Sequence, residues 1–262
     1  MEKVEVLRQY FGFSSFREGQ QTLIDAVLAG RDVLGVMPTG GGKSLCYELP
    51  ALLLPGLTLV ISPLISLMKD QVMALQNAGI PAGCIHSAMS VEELREAYRD
   101  TRFGAYKILY IAPERLLTDG FCALAQELEI SLLAVDEAHC ISQWGQDFRP
   151  SYLKILDFLQ KLPRRPALAA FTATATAQVR SDIVRILQLQ DPVTVVTGFD
   201  RPNLRFEVLR PQDKRRALLE LLEERRDKSG IVYCATRKGV EQICELLQSS
   251  GFAASRYHAG LS

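Results

Sequence analysis

Two short segments carry residues whose types and spacing suit phosphate chemistry. The run Met37-Pro-Thr-Gly-Gly-Gly-Lys-Ser44 follows the apolar stretch Val33–Met37 and opens a helical pattern, the setting required of a phosphate-binding loop. Thr39, Gly40, Gly41 and Gly42 would turn backbone N–H groups toward phosphates, because glycine lets the chain approach without a Cβ clash. Lys43 would neutralise β- and γ-phosphates, and the Ser44 hydroxyl would ligate Mg²⁺. The strict pattern begins with glycine, and Met37 stands there instead. The bland alternative, a glycine-rich turn with a solvated lysine, leaves the coincidence of strand, glycines, Lys-Ser and helix unexplained. The second segment, Leu132-Leu-Ala-Val-Asp-Glu-Ala-His139, is an apolar run ending in two carboxylates. Asp136 is placed to hold Mg²⁺ at a strand's C-terminal end, and Glu137 to activate a water as general base. Alone, the pair reads equally well as a polar strand cap; the phosphate loop upstream favours chemistry. His139 taken alone reads as a structural hydrogen-bonder.

These residues need a scaffold, and the hydrophobic pattern supplies one. Strand-like runs at Val33–Met37, Leu57–Ile61, Ile108–Ala112, Leu132–Val135, Ala167–Phe171 and Val193–Thr197 alternate with helical stretches at Ile65–Asn77, Val91–Arg99, Tyr152–Leu162 and Ala177–Leu187. Such alternation predicts parallel β-α-β units and an α/β sheet covered on both faces. A turn-rich stretch at Gly198–Asn203 reads as a linker. The pattern then restarts: strand Leu204–Leu209, helix Lys214–Arg226, strand Ile231–Cys234, helix Val240–Gln248, strand Ala253–Tyr257. About sixty residues are too few for an α/β domain of ordinary size, so the expectation is a domain at 1–199 and an incomplete second one at 200–262.

Composition narrows the class. With 30 basic and 30 acidic residues the formal net charge is zero, so any nucleic-acid site must arise locally. The six cysteines, at 46, 84, 122, 140, 234 and 244, show no CxxC spacing, which argues against zinc and for reduced thiols. No apolar run reaches bilayer length and no leader pattern opens the chain, so the expectation is a cytoplasmic protein with no membrane partner.

The segments FGFSSFREGQ (Phe11–Gln20), MPTGGGKSLCYELPAL (Met37–Leu52), VISPLISLMKDQV (Val60–Val72), YIAPERL (Tyr110–Leu116), DEAHCISQWGQDFRPSY (Asp136–Tyr152), FTATAT (Phe171–Thr176), FDRPN (Phe199–Asn203) and Ile231–Leu261 resemble, in order, the motifs of RecQ-type DNA helicases. The resemblance covers nearly the whole chain. It implies a RecA-like P-loop NTPase sheet followed by a truncated second RecA-like domain. It also implies ATP and Mg²⁺ as cofactors, single-stranded and duplex DNA as partners, 3′–5′ movement along one strand, and roles in DNA repair and recombination. A single-stranded-DNA-binding protein, engaging regions absent here, would be a further partner.

By the same resemblance, Phe13 stacks on adenine, Gln20 reads its edge and Arg17 supports the site, while Phe11 and Phe16 are assigned to the core. Trp144, the only tryptophan, and Phe148 offer flat surfaces for stacking bases, worth about 1–3 kcal/mol per base. Arg149 pairs with phosphate or bridges toward the nucleotide, and His139 relays between nucleotide and DNA. Thr172 and Thr174 link the motor domains. Ser62, Pro113 and Glu114 line the DNA channel, Thr236 and Arg237 hold a phosphate, and Arg201 and Asn203 join the domains. Arg210, Lys214, Arg215 and Arg216 are read as a solvated helix start. Gln146 departs from the family, where histidine is common.

The family's arginine fingers, worth about 10³–10⁵ in rate, would follow Ser262. The chain alone is therefore expected to bind ATP–Mg²⁺, hydrolyse it poorly and unwind nothing. Competing readings are a DEAD-box RNA helicase, disfavoured by DEAH, by TATAT and by the tryptophan-containing loop, and a nucleotide-dependent DNA-binding module without turnover. A dinucleotide oxidoreductase lacks G-x-G-x-x-G after a strand.

Overall fold

A computed structural model describes residues 2–198 and 204–261, which divide into two compact units, Met1–Asp200 and Arg201–Ser262. Phe199, Arg201 and Asn203, assigned above to an interdomain motif, lie outside the described residues.

The first unit is a parallel sheet between two helical layers. In chain order its elements are α1 (Lys3–Phe11), α2 (Gln20–Leu28), β1 (Val33–Val36), α3 (Leu45–Leu53), β2 (Leu57–Ile61), α4 (Ile65–Asn77), β3 (Ala82–Ile85) and α5 (Val91–Arg102). There follow β4 (Ile108–Ile111), α6 (Asp119–Glu127), β5 (Ile130–Val135), α7 (Lys154–Lys161), β6 (Ala167–Thr172), α8 (Ala177–Ile186) and β7 (Val193–Val196). The strand order is β3-β4-β2-β5-β6-β1-β7, every pairing parallel. All six apolar runs form strands within a residue or two of the expected bounds, and α4 matches at both ends. The expected helix over Tyr152–Leu162 is entered through a 3₁₀ turn, Pro150–Leu153, because a proline at the first turn donates no N–H. Strand β3, with Gly83 and Cys84 inside it, and helices α1, α2 and α6 had no prior assignment.

The sheet's period of two sorts its side chains cleanly. Leu59, Ile61, Leu133 and Val135 face the layer of α5–α8, packing with Phe121, Phe158 and Ile183. Val60, Leu132, Ala134 and Phe171 face α1–α4, packing with Leu23, Tyr47 and Met68. Phe11 and Phe16 pack against this second cluster. A buried carboxylate, Asp32, anchors the start of β1. It is paired with Arg165 at 2.5 Å and accepts the backbone N–H groups of Leu168 and Gln190 at 2.9 and 2.7 Å.

The second unit differs from expectation. It holds α9 (Lys214–Glu223) and α10 (Arg237–Ser249), but the three expected strands at 204–209, 231–234 and 253–257 are not formed among its described residues. A strand is stabilised only by a paired neighbour and a face to bury. Here Phe206, Tyr233 and Tyr257 are 91–93% exposed. Asp213 caps α9 by accepting from the backbone N–H groups of Arg215 and Arg216, and the Arg216 side chain pairs with Glu220 at 2.9 Å, while Arg210, Lys214, Arg215 and Arg216 are all exposed.

Removing a buried carboxylate that accepts four hydrogen bonds leaves the backbone N–H groups of Leu168 and Gln190 without their partner and deprives Arg165 of its counter-charge. Asp32→Ala is therefore expected to lower stability by about 3 kcal/mol or more, read as a shift of the urea midpoint; a shift corresponding to under about 1 kcal/mol would contradict this role.

Candidate nucleotide site at the carboxyl edge of the sheet

Hydrogen bonds extend each ladder one residue beyond its strand. Met37 N–H donates to Thr172 O at 3.0 Å, Asp136 N–H to Ile61 O at 2.9 Å and Ser62 N–H to Ile111 O at 3.2 Å. The loops after β1, β6, β5, β2 and β4 thus leave the same edge side by side, where open α/β sheets bind ligands. A cleft of about 420 Å³ on this edge is lined by Phe13, Arg17, Gln20, Thr39, Gly40, Gly42, Lys43, Ser44, Asp136 and Glu137. Both chemistry-bearing segments therefore meet in one cavity. Ser15, Leu45, Leu67 and Gln71 line it too, and none of these had been singled out.

Each side of the cleft is held from outside. The Gln20 amide accepts from Arg17 N–H at 2.7 Å and donates to Gly42 O at 3.0 Å, leaving one N–H and one acceptor lone pair unengaged by these bonds. That pair of groups suits the edge of an adenine. Arg17 donates to the Gly40 carbonyl, and Phe13 is 50% exposed at the cleft's rim. Gly42 has φ +80°, a left-handed conformation that favours glycine, and a Cβ there would fall 2.3 Å from Gln20 Nε2 and displace the Gln20 amide. Lys43 Nζ donates to Met37 O at 3.3 Å.

The acidic side is electrostatically uneven. Burial, then the neighbouring Glu137, pushes the Asp136 carboxyl up to about 6. Glu137 is held below its ordinary value, first by its bond to His139. His139 is pushed up to about 9, by the Cys140 sulfur 3.9 Å from Nε2 and by Glu137 Oε2 3.3 Å from Nδ1. The same Nδ1 lies 2.9 Å from Thr172 Oγ1, whose hydroxyl donates to the Thr174 carbonyl at 3.1 Å. A protonated His139 therefore donates between Glu137 and Thr172, joining the end of β5 to the end of β6. Glu137 has φ +47°, a left-handed conformation costing a non-glycine residue about 1 kcal/mol or more. Among the described residues no group of three or more His, Cys, Asp or Glu could hold a metal. Ser44 and Asp136, two hard oxygen donors on one cleft, fit Mg²⁺, which typically takes one or two carboxylates and completes its shell with phosphate and water.

Beside the cleft, residues 142–149 form a loop pinned at both ends. Buried Ser142 donates to Asp182 of α8 at 2.7 Å and accepts from Trp144 N–H at 3.2 Å. Arg149 N–H donates to Cys140 O at 2.9 Å, and its guanidinium reaches Asp147 at 2.7 Å and Pro63 O at 2.9 Å. Trp144 is 75% exposed, while Phe148 is half-buried. Tyr152 closes the segment by donating to Asp136 O at 2.9 Å. Ser62 and Pro113 are buried, and Glu114 exposed, after β2 and β4. Arg237 lies in the second unit as the first residue of α10, whose cap Thr236 accepts from Gly239 N–H at 3.0 Å.

Residues 17–183 match the model of the DEAD/DEAH box helicase family. The chain belongs to that family. It is 48% identical to the ATP-dependent DNA helicase RecQ of Bacillus subtilis over 98% of its own length and 44% of that protein's. It is 46% identical to the RecQ of Pasteurella multocida, covering 98% of this chain and 41% of that one. The chain thus spans less than half the length of these curated relatives. Among solved structures, the DUF1998 helicase MrfA bound to DNA and AMPPNP superposes with a TM-score of 0.71 at 18% identity, over 95% of this chain and 38% of that one. No helix among the described residues is long and apolar enough to cross a membrane.

Two measurements probe this DEAD/DEAH site. An acid whose pKa is raised by folding destabilises the folded state in its ionised form. The penalty is absent below the ordinary value, grows through pH 4–6 and is complete above. From 3.8 to about 6 it amounts to about 3 kcal/mol. Without nucleotide or metal, Asp136→Asn is expected to stabilise the chain at pH 8 and progressively less toward pH 4; a gain independent of pH would refute the assignment. A Cβ on Gly145 would lie 2.2 Å from the His139 carbonyl oxygen. Gly145→Ala should therefore shift the emission of the sole tryptophan with little change in far-UV circular dichroism; an unchanged spectrum would show that the loop absorbs the clash.

Proposed function

We propose that the chain is the nucleotide-hydrolysing motor segment of an ATP-dependent DNA helicase of the RecQ kind. In the whole protein it would couple ATP hydrolysis to 3′–5′ movement on single-stranded DNA and to duplex unwinding. The observation that carries the reading is one cleft uniting Lys43 and Ser44 with Asp136 and Glu137, beside a pinned loop presenting Trp144. The names of the RecQ relatives support DNA over RNA as the strand bound.

In this reading Phe13 and Gln20 hold the adenine, and the backbone of Thr39–Gly42 cradles the phosphates. Lys43 offsets the charge that develops on the β- and γ-phosphates. Mg²⁺, held by Ser44 and Asp136, would supply further charge neutralisation. Glu137 accepts a proton from the water that attacks the γ-phosphorus as the bond to the ADP oxygen breaks. His139, bonded to both Glu137 and Thr172, passes a change at the carboxylate to the β6 end and Thr174. Trp144 and Phe148 stack on bases, and the loop's anchors at Pro63 and Asp182 carry that contact back to the sheet edge. The second unit is read as the start of a second RecA-like domain, with Arg237 contacting phosphate.

The decisive assay is ATP hydrolysis by the chain with and without single-stranded DNA, repeated with RNA, beside Lys43→Ala and Glu137→Gln. Lys43→Ala should abolish nucleotide binding. Glu137→Gln should bind ATP and lose about 10²-fold or more of whatever turnover the chain shows. Full turnover by Glu137→Gln would eliminate that residue as the base. Stimulation by RNA alone would favour an RNA helicase, and ATP binding without turnover would place the isolated chain as a nucleotide-dependent binding module.

A further inference from the structure

Gln71 lies on α4, away from every motif position to which the reading above gives a role, yet its side chain lines the nucleotide cleft together with Leu67, one helical turn earlier. Strand order says which end of the cleft this is. The adenine side belongs to the β1–β7 edge: the turn before α2 packs on β7, so closely that a Cβ on Gly19 would lie 2.6 Å from Val195 Cγ1. The phosphate loop follows β1, and the carboxylates follow β5, two strands further along. Helix α4 follows β2, on the far side of β5. A nucleotide with its base at Phe13 and its phosphates over Gly40–Lys43 therefore points its terminal phosphate toward Glu137 and α4.

The chemistry of the residue fits that position. A glutamine amide offers two N–H donors without charge, suited to a phosphate oxygen beside a carboxylate that must remain ionised. Gln76, further along the same helix, is engaged on Ala82 O at 2.8 Å, whereas Gln71 has no such partner among the described residues. Helix α4 also starts two residues after Pro63, whose carbonyl accepts Arg149 of the tryptophan-bearing loop at 2.9 Å. One rigid element thus presents a face to the nucleotide and has its entry tied to that loop.

We propose that Gln71 is a γ-phosphate contact, donating from Nε2, that distinguishes ATP from ADP and transmits the difference through α4 to the Arg149 loop. This rests on the cleft being an ATP site. The test is competition binding to the 1–262 chain with Mg²⁺, comparing ADP with ADP–beryllium fluoride, a mimic of the bound γ-phosphate. Gln71→Ala is expected to weaken ADP–beryllium fluoride binding roughly tenfold, the size of a hydrogen bond to a charged group, and to leave ADP unchanged. Gln71→Glu, matched in length but anionic, should weaken it further and serves if the alanine variant melts early. In the unsubstituted chain, Trp144 emission should respond to ADP–beryllium fluoride and not to ADP, and Gln71→Ala should abolish that response. Equal affinities for both ligands in variant and parent, or an equal loss for both ligands, would overturn the proposal. Lys43→Ala separates the two readings. If it binds both ligands like the parent, the ATP-site assignment itself falls; if it abolishes binding while Gln71→Ala changes nothing, only the role of Gln71 does.

Discussion

The site depends on a single constraint, the parallel hydrogen-bond ladder across β1, β6, β5 and β2. Parallel strands all release their following loops at the same edge. Met37 is bonded to Thr172, and Asp136 to Ile61, one residue past the last strand pairs. Segments separated by some hundred residues are thereby placed at near-neighbour spacing, since adjacent strands lie about 4.8 Å apart. Slipping a strand by one residue would turn Val135 or Val36 to the wrong layer, and the two buried clusters on opposite faces make that costly. The core thus protects the register that assembles the cleft.

The cleft in turn carries features that stability alone would not select. A carboxylate is buried and its ionised form disfavoured, the next residue is held at positive φ, and two glycines stand where a Cβ would strike a neighbour. Such conflicts with local preference cluster at functional sites, where surrounding structure over-determines them. Here the over-determination is visible. Tyr152 holds the Asp136 carbonyl, His139 bonds Glu137 to Thr172, and Gln20 and Arg17 grip the loop from α2 and its approach.

The exposed aromatic loop is joined to the cleft by a short run of hydrogen bonds. The loop has three ties: Ser142 to α8, Arg149 to the entry of α4, and Tyr152 to the strand end bearing Asp136. Helix α4 and the Asp136 end of β5 both border the cleft. A contact made at Trp144 and one made at Glu137 would therefore act on shared elements rather than across the domain.

Six of the first unit's seven strands, α4, the α/β class and the placing of the glycine-rich loop and the carboxylate pair at strand ends were legible in the sequence, because apolar periodicity and glycine spacing are local signals. The family was legible in the order of motifs. Other features were decided only in three dimensions. Strand β3, with Gly83 and Cys84 in its middle, is built by pairing with β4 rather than by propensity. The second unit's apolar runs have β-like sequences but form no strands among the described residues, because a strand needs a partner that sequence preference does not supply. Gln71 and Leu67 show a helical repeat in the sequence, but which face borders the cleft follows from β2 lying beside β5, a fact of strand order. The same holds for Ser142 and Asp182, forty residues apart, and for His139 between Glu137 and Thr172. Residue types determine which chemistry is available; the sheet's long-range pairing decides which groups stand close enough to perform it.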